Sequence, residues 1–458
     1  MITTLSNSTN NNFKNQFFKY VIPSVASMWV SALYVMVDAM FVSKGVGPNA
    51  LAAVNIAMPY TNFIFGLSVL FSVGASTVIS IKLGEKDHTK AKKYFSMTIF
   101  SLVIISLFIC VMSLLFLDQI VLFLGATDSV FPMVKDYLKI IIIFIVFYIV
   151  SYAFEVLIKT DGYPHLSTIG VIISALTNII LDYVFVIKFN WGVEGAAFAT
   201  GLARAFSFVF FLIHFLGNKS KLKFCKFKFN FSILKRIASI GFADCATELS
   251  IGVVILLFNQ IIIKYLGEGA LVSYSVVSYV NTLVLSTMLG ISQGLQPLSS
   301  YYYGTGDCAT VKSLLKLSLK YVMISSLVVF LVCIFFTDYI VLMFIDKSDM
   351  ALFEYTVSKF RLFSISFLIL GFNVVISGFL SSLEKTLDAC KISLSRGLFV
   401  ISISLFVTVL AFGGNGIWFS TIISECVVLV LSLITLKHAL KDMDLYSDES
   451  NTEIAMTV

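Results

Sequence analysis

Twelve long apolar runs leave this chain few ways to fold. They lie near 19–43, 51–81, 94–117, 137–158, 166–187, 192–216, 236–264, 270–302, 313–336, 357–382, 392–412 and 415–436. About 20 apolar residues cross the hydrocarbon of a bilayer as a helix. The expected fold is therefore an all-α membrane protein with twelve transmembrane helices. Only 13% of the residues are charged, against about 25% in soluble globular domains.

Lysine and arginine set the expected orientation, because short cytoplasmic loops carry an excess of both. With the N-terminus inside, 23 of the 32 fall in cytoplasmic segments, eight in exterior loops, and Arg204 within the sixth run. Both termini are thus expected in the cytoplasm. The first fifteen residues are rich in Asn, Ser and Thr, and the first run is too long for a signal peptide. The domains expected are a tail (1–18), a six-helix lobe (19–216), a basic linker (217–232), a second six-helix lobe (233–436) and a tail (437–458).

Nothing in the text suggests catalysis. The seven cysteines have no metal spacing and read as free thiols. The four histidines are scattered, and there is no phosphate-binding loop for ATP. No enzyme activity and no cofactor is expected. The basic excess is topological and gives no reason to expect nucleic acid.

The two lobes echo each other at an offset of 220. Ala50-Leu51 matches Ala270-Leu271, Ser72 and Gly74 match Ser292 and Gly294, and Ser80 and Gly84 match Ser300 and Gly304. Asp87 and Lys92 match Asp307 and Lys312, and Asp118 matches Asp338. Six helices is an even number, so the repeats are parallel, related by an axis along the membrane normal. Transporters built this way bind substrate near the repeat interface and alternate access by rocking the lobes. The linker lysines (Lys219, Lys221, Lys223, Lys226 and Lys228) read as a topology signal or as an anionic-lipid patch.

Ionisable groups inside apolar helices are functional candidates. Asp38 and Asp182 each lie about five residues from the outer end of a helix, roughly 7 Å deep at 1.5 Å per residue. Asn178, one turn before Asp182, faces the same way, and Thr200 enters from the sixth run. Two nearby carboxylates in low dielectric do not both ionise cheaply, so such a pocket holds a proton, or a hard cation such as Na⁺. The alternatives are hydration or pairing with Lys44 for Asp38, and a helix-end acid near Lys188 for Asp182. The offset pairs Asp38 with Phe258 and Asp182 with roughly Ser404, so the second lobe lacks this pair. Pro23 marks either a functional bend or a passive kink.

Asp244, Glu248 and Glu425 are a possible second-lobe substrate or ion site, or else pair structurally with Arg204 or water. Arg204 reads as the lone basic group at depth and as a partner to a carboxylate. Tyr274 and Tyr279 are candidates to line a cleft for flat cations by cation–π contact.

Several stretches resemble the multidrug and toxic compound extrusion (MATE) family. YVMVDAMFVSKGVGPNALAAVNIAMPY (Tyr34 to Tyr60) resembles its helix 1–2 signature. TNIILDYVFV (Thr177 to Val186) resembles its helix 5 motif, WGVEGAAFATGLAR (Trp191 to Arg204) its helix 6 entry, and GISQGLQPLSSYYYG (Gly290 to Gly304) its helix 8. The text looks closest to the prokaryotic branch named for the DNA-damage-inducible F protein. That resemblance implies that Asp38, Asn178, Asp182 and Thr200 form a cation site and that helix 1 bends at Pro23. The NorM-like branch uses an acid on helix 10, which is missing here. The resemblance further implies a secondary active exporter of amphipathic, often cationic drugs, driven by inward Na⁺ or H⁺. It would be a monomer in a bacterial or archaeal inner membrane, with drugs and the bilayer as its only partners. A lipid-linked oligosaccharide flippase of the same superfamily, or export of an endogenous metabolite, is the alternative.

Overall fold

The computed structural model describes residues 2–345 and 349–457, with side chains described at 13–47, 49–267, 269–345 and 349–443. Every regular element among them is helical. The first half comprises α1 (Ile2–Gly45), α2 (Pro48–Gly84), α3 (His88–Leu115), α4 (Leu117–Phe123), α5 (Phe131–Ile143), α6 (Ile145–Thr160), α7 (Pro164–Asp182), a π-helix (Tyr183–Lys188) and α8 (Gly192–Leu216). The second half comprises α9 (Phe231–Leu266), α10 (Glu268–Gly304), α11 (Cys308–Phe335), α12 (Thr337–Leu342), α13 (Met350–Ser364), α14 (Phe367–Ser382), α15 (Thr386–Leu394), a π-helix (Ser395–Phe399), α16 (Val400–Phe412) and α17 (Gly416–Thr457).

Nine helices among the described residues are long and apolar enough to cross a bilayer. The count reaches eleven when α5–α6, bent by 53°, and α13–α14, bent by 42°, are each taken as one span. One of the nine stretches, Thr386–Met443, contains α15, α16 and α17 together, and a 3₁₀ turn at Gly413–Asn415 interrupts it. Large apolar side chains stay exposed along these helices, such as Phe108 at 65% and Leu410 at 82%. Patches of that kind are rare on soluble monomers, and lipid is their natural solvent.

The repeat is visible in local geometry. Asp87 caps α3 by accepting the Lys90 N–H at 2.9 Å, and Asp307 caps α11 by accepting the Thr310 N–H at 2.9 Å. The residue before each cap sits in the left-handed region, at φ 61° for Lys86 and 77° for Gly306. Glycine adopts that conformation without the Cβ clash that lysine suffers. The matched Asp residues are thus matched helix caps.

Contacts divide the chain into two compact units, Ile22–Glu248 in one and Met1–Val21 with Leu249–Val458 in the other. This differs from a cut at the basic linker. The N-terminal part of α9 packs with first-half helices, and the start of α1 packs with second-half helices. Paired close approaches explain the exchange. A Cβ on Gly74 would fall 1.9 Å from the Ile237 carbonyl oxygen, and one on Gly241 1.9 Å from the Leu70 carbonyl oxygen. In the other unit, a Cβ on Gly294, the repeat mate of Gly74, would fall 2.7 Å from Val21 Cα. Only a missing side chain lets these backbones meet.

Within Ile22–Glu248 one apolar core joins α2, α3, α5, α6 and α8 and extends to Leu222 of the linker and to Ile237 and Ile240 of α9. In the other unit, Val276, Val341, Ile345 and Phe353 form a separate buried cluster.

Candidate cation site

α7 runs without interruption to Asp182 and then widens into the π-helix Tyr183–Lys188. Short π segments recur at functional sites because they re-aim side chains at a helix end. Asp182 is fully buried, and Asn178, one turn earlier, is 1% exposed. Asn178 Nδ2 donates to Thr200 Oγ1 of α8 at 3.4 Å. From α1, the Asp38 carboxyl comes within hydrogen-bonding reach of the Asp182 carboxyl. The structure therefore joins Asp38 to Asp182, and Asn178 to Thr200.

What distinguishes the cluster is what it lacks. Asp38 Oδ1, both carboxyl oxygens of Asp182 and Asn178 Oδ1 are buried with no protein donor among the described residues. Two facing carboxylates have no hydrogen to share unless one of them carries a proton. Buried polar atoms are overwhelmingly hydrogen-bonded in folded proteins, and each exception needs a reason. Among the described residues no group of three or more His, Cys, Asp or Glu suits a metal ion. The donor set here is two carboxylates, an amide and a hydroxyl. Such hard oxygens suit Na⁺ or a proton rather than a transition metal.

Aromatic and basic groups surround the acids. Tyr137 of α5 is buried and within electrostatic reach of both. Arg204 Nη2 donates to Tyr34 Oη at 2.9 Å, and its guanidinium lies 4.7 Å from the centre of the Tyr148 ring. Arg204 thus contacts two tyrosines, and the Glu155 carboxyl is within its electrostatic reach. Nor is Arg204 the lone basic group at depth. Lys159 is 2% exposed, on the same helix as the buried Glu155, and Arg396 binds Glu425 inside the other unit. The Glu155–Lys159 pair was readable as an i, i+4 spacing across the end of the fourth run. Arg396 counted in sequence as part of a cytoplasmic loop, and only the structure shows its pairing with the buried Glu425.

Pro23 lies inside an unbroken α1. Its carbonyl oxygen accepts the Thr168 hydroxyl at 2.7 Å and the Ser27 hydroxyl at 2.9 Å.

Of the other candidates, Asp244 and Glu248 fall in the unit Ile22–Glu248 and Glu425 in the other. Glu425 Oε1 accepts the Arg396 Nε–H at 3.0 Å and Oε2 accepts Asn373 Nδ2 at 2.7 Å, while Asn373 Oδ1 accepts the Ser432 hydroxyl at 2.9 Å. That is a closed structural network. Tyr274 stacks on Phe258 with ring centres 5.2 Å apart, and Tyr279 stacks on Phe344 at 5.7 Å. Five residues apart on one helix, the two tyrosines stack on different neighbours.

Comparison with known proteins identifies the family. The MatE family model matches residues 23–184 and 245–410. The chain belongs to the MatE family. Similar MatE relatives include a multidrug export protein MepA from Staphylococcus aureus, 26% identical over 427 residues, which cover 92% of this chain and 93% of the relative. Another MepA, from Staphylococcus saprophyticus, is 27% identical over 438 residues, covering 94% of this chain and 95% of the relative. The fold matches an outward-facing multidrug resistance MATE family transporter of the MOP superfamily, with TM-score 0.89 at 19% identity over 94% of this chain and 96% of that one. A MATE in the bent conformation matches with TM-score 0.87 at 20% identity over 95% and 97% of the two chains.

Proposed function

We propose that this MatE protein is a secondary active multidrug exporter that couples drug exit to inward movement of H⁺ or Na⁺ through Asp38, Asn178, Asp182 and Thr200. One observation carries the reading: four buried oxygens from three of these residues have no protein donor among the described residues. An arrangement so short of positive charge costs several kcal/mol unless a proton or cation completes it. Binding the ion therefore does work on the protein, and that work is available to bias one conformation over another. The proline in α1 and the hydroxyls gathered on its carbonyl give that helix a place to bend. The drug-export half of the proposal is supported by the names of the relatives.

The remaining spans follow from the same reading. Splitting Thr386–Met443 at the Gly413–Asn415 turn brings the helices to twelve, with both termini in the cytoplasm of a bacterial or archaeal cell. The working unit is a monomer, its substrates are amphipathic organic cations, and no cofactor is required. The test is export of a fluorescent organic cation from proteoliposomes, with pH and sodium gradients imposed separately. One gradient should drive export, and Asp38→Asn, which keeps the size and removes the charge, should abolish it. Undiminished gradient-driven export by that variant would remove the site from the coupling mechanism.

A further inference from the structure

The linker between the halves is not a loose loop. Asp161, 2% exposed at the end of α6, accepts the backbone N–H groups of Lys221 at 2.8 Å and Leu222 at 3.1 Å on one oxygen. Its other oxygen lies 2.8 Å from His214 Nε2. The Tyr163 hydroxyl donates to the Lys219 carbonyl at 3.1 Å. Farther along, the Cys225 N–H donates to Ser96 Oγ of α3 at 2.9 Å. Leu222 is fully buried. Phe224 packs on Phe95 with ring centres 5.1 Å apart, and Phe227 on Phe100 at 5.7 Å. Backbone and apolar side chains together bind this extended strap to α3.

Two kinds of side chain remain outward. Lys219, Lys221, Lys226 and Lys228 are exposed. So are Phe224 at 42%, Phe229 at 57% and Phe231 at 70%. The strap meets α3 between Phe95 and Phe100, the first turns of the apolar run beginning near 94, so it lies where headgroups give way to acyl chains. Lysine alternating with phenylalanine suits that depth. The rings enter the acyl boundary while ammonium groups reach phosphates.

We propose that residues 219–229 form a preformed strap that binds the headgroups of anionic phospholipids. Phosphate is the chemistry recognised, and the flanking rings select a lipid over a free anion. A disordered polybasic loop attracts anionic lipid only by its average charge. Here Asp161, Ser96 and Tyr163 fix the backbone, so the lysines are held at the interface before lipid arrives. The inference rests on the proposed topology only for naming the leaflet as cytoplasmic, not for binding.

The test uses the full-length protein in nanodiscs, whose two leaflets have the same composition, so an error in topology cannot mimic the result. Spin-labelled phosphatidylglycerol and phosphatidylcholine report the fraction of each lipid immobilised. Wild type should prefer phosphatidylglycerol, and Lys219, Lys221, Lys226 and Lys228 changed together to Gln should lose at least about fivefold of that preference. Fivefold corresponds to about 1 kcal/mol, the contribution of a single basic residue near an anionic surface. The same four positions changed to Arg should keep it. Asp161→Asn and Tyr163→Phe leave every lysine in place and should lower the preference by loosening the strap. Unchanged preference in the Gln variant overturns the proposal, and unchanged preference in both loosening variants overturns its preformed character. Inorganic phosphate that displaces the labelled lipid more than chloride at equal ionic strength would mark a soluble-anion site and overturn the lipid assignment.

Discussion

Asp182 lies at the mouth of one π-helix and Glu425 reaches across to another, yet the two buried acids are treated in opposite ways. Glu425 holds Arg396 on one oxygen and Asn373 on the other. Asp182 faces Asp38, and neither of its oxygens has a donor among the described residues. Folding alone would favour the first arrangement everywhere, because an uncompensated buried charge is far more costly than a paired one. The repeat mates sharpen the contrast. Where the first half has Asp38, the second has Phe258 stacked on Tyr274, and near the counterpart of Asp182 stands the buried Ser404. Duplication supplied two similar frames, and among the described residues the facing carboxyls without donors lie in the first half. The proposed coupling site draws on the unpaired acids, whereas the paired acid belongs to a closed hydrogen-bond network.

The largest expected effect tests that contrast. Asp38→Asn and Asp182→Asn should each bring gradient-driven export in proteoliposomes to the level of empty vesicles while the protein stays folded and membrane-inserted. Glu248→Gln, in the same compact unit, should change drug affinity and leave the ion dependence intact. If Glu248→Gln removes the ion dependence while Asp38→Asn alters only drug affinity, the contrast has been drawn between the wrong acids.

Removing a partner from the scaffold acid should act on folding instead. Glu425→Gln leaves Arg396 uncompensated and is expected to destabilise by about 3–5 kcal/mol, the usual result of breaking a buried pair. Replacing Arg396 and Glu425 together by methionines should recover most of that loss. Thermal unfolding in detergent decides it. A single variant as stable as wild type would show that Glu425 is not structural.

Next come the close approaches of the helices. Gly74→Ala and Gly294→Ala drive a methyl into backbone at 1.9 Å and 2.7 Å, respectively. Each should cost about 1–3 kcal/mol as overpacking, with Gly74 the worse. Equal tolerance of both would argue against the exchange of helix segments between the units.

The smallest effects test the turns before α3 and α11. Lys86→Gly should stabilise by about 1 kcal/mol and Gly306→Ala destabilise by a similar amount, because both positions need a left-handed backbone. Melting midpoints moving in opposite directions would confirm that one turn is strained and its repeat mate is not.

Much of this was legible in the chain. Apolar runs of bilayer length announce membrane helices because lipid leaves the backbone no other partner than itself. The constant offset revealed the repeat, since Asp87 and Asp307 do the same capping work in both copies. Asp38 and Asp182 stood out because charge inside an apolar run is expensive wherever it packs. Arg396 escaped notice because it sits near the end of a run, where the boundary between loop and helix is least certain.

What the sequence determined by itself is thus the membrane class, the repeat and the two acids of the first half. Each depends on composition or local spacing along one stretch of chain. The tertiary structure alone decided which acids are satisfied, that Asp244 and Glu248 pack with the first half, that Tyr274 and Tyr279 stack on different neighbours, and that the linker is fastened to α3. Those outcomes depend on which distant helices meet, and that is set by the fit of small residues such as Gly74, Gly241 and Gly294 against the backbones of Ile237, Leu70 and Val21, far away along the chain. Spacing within one helix fixes a side chain's direction around its axis, but only packing supplies or withholds its partner.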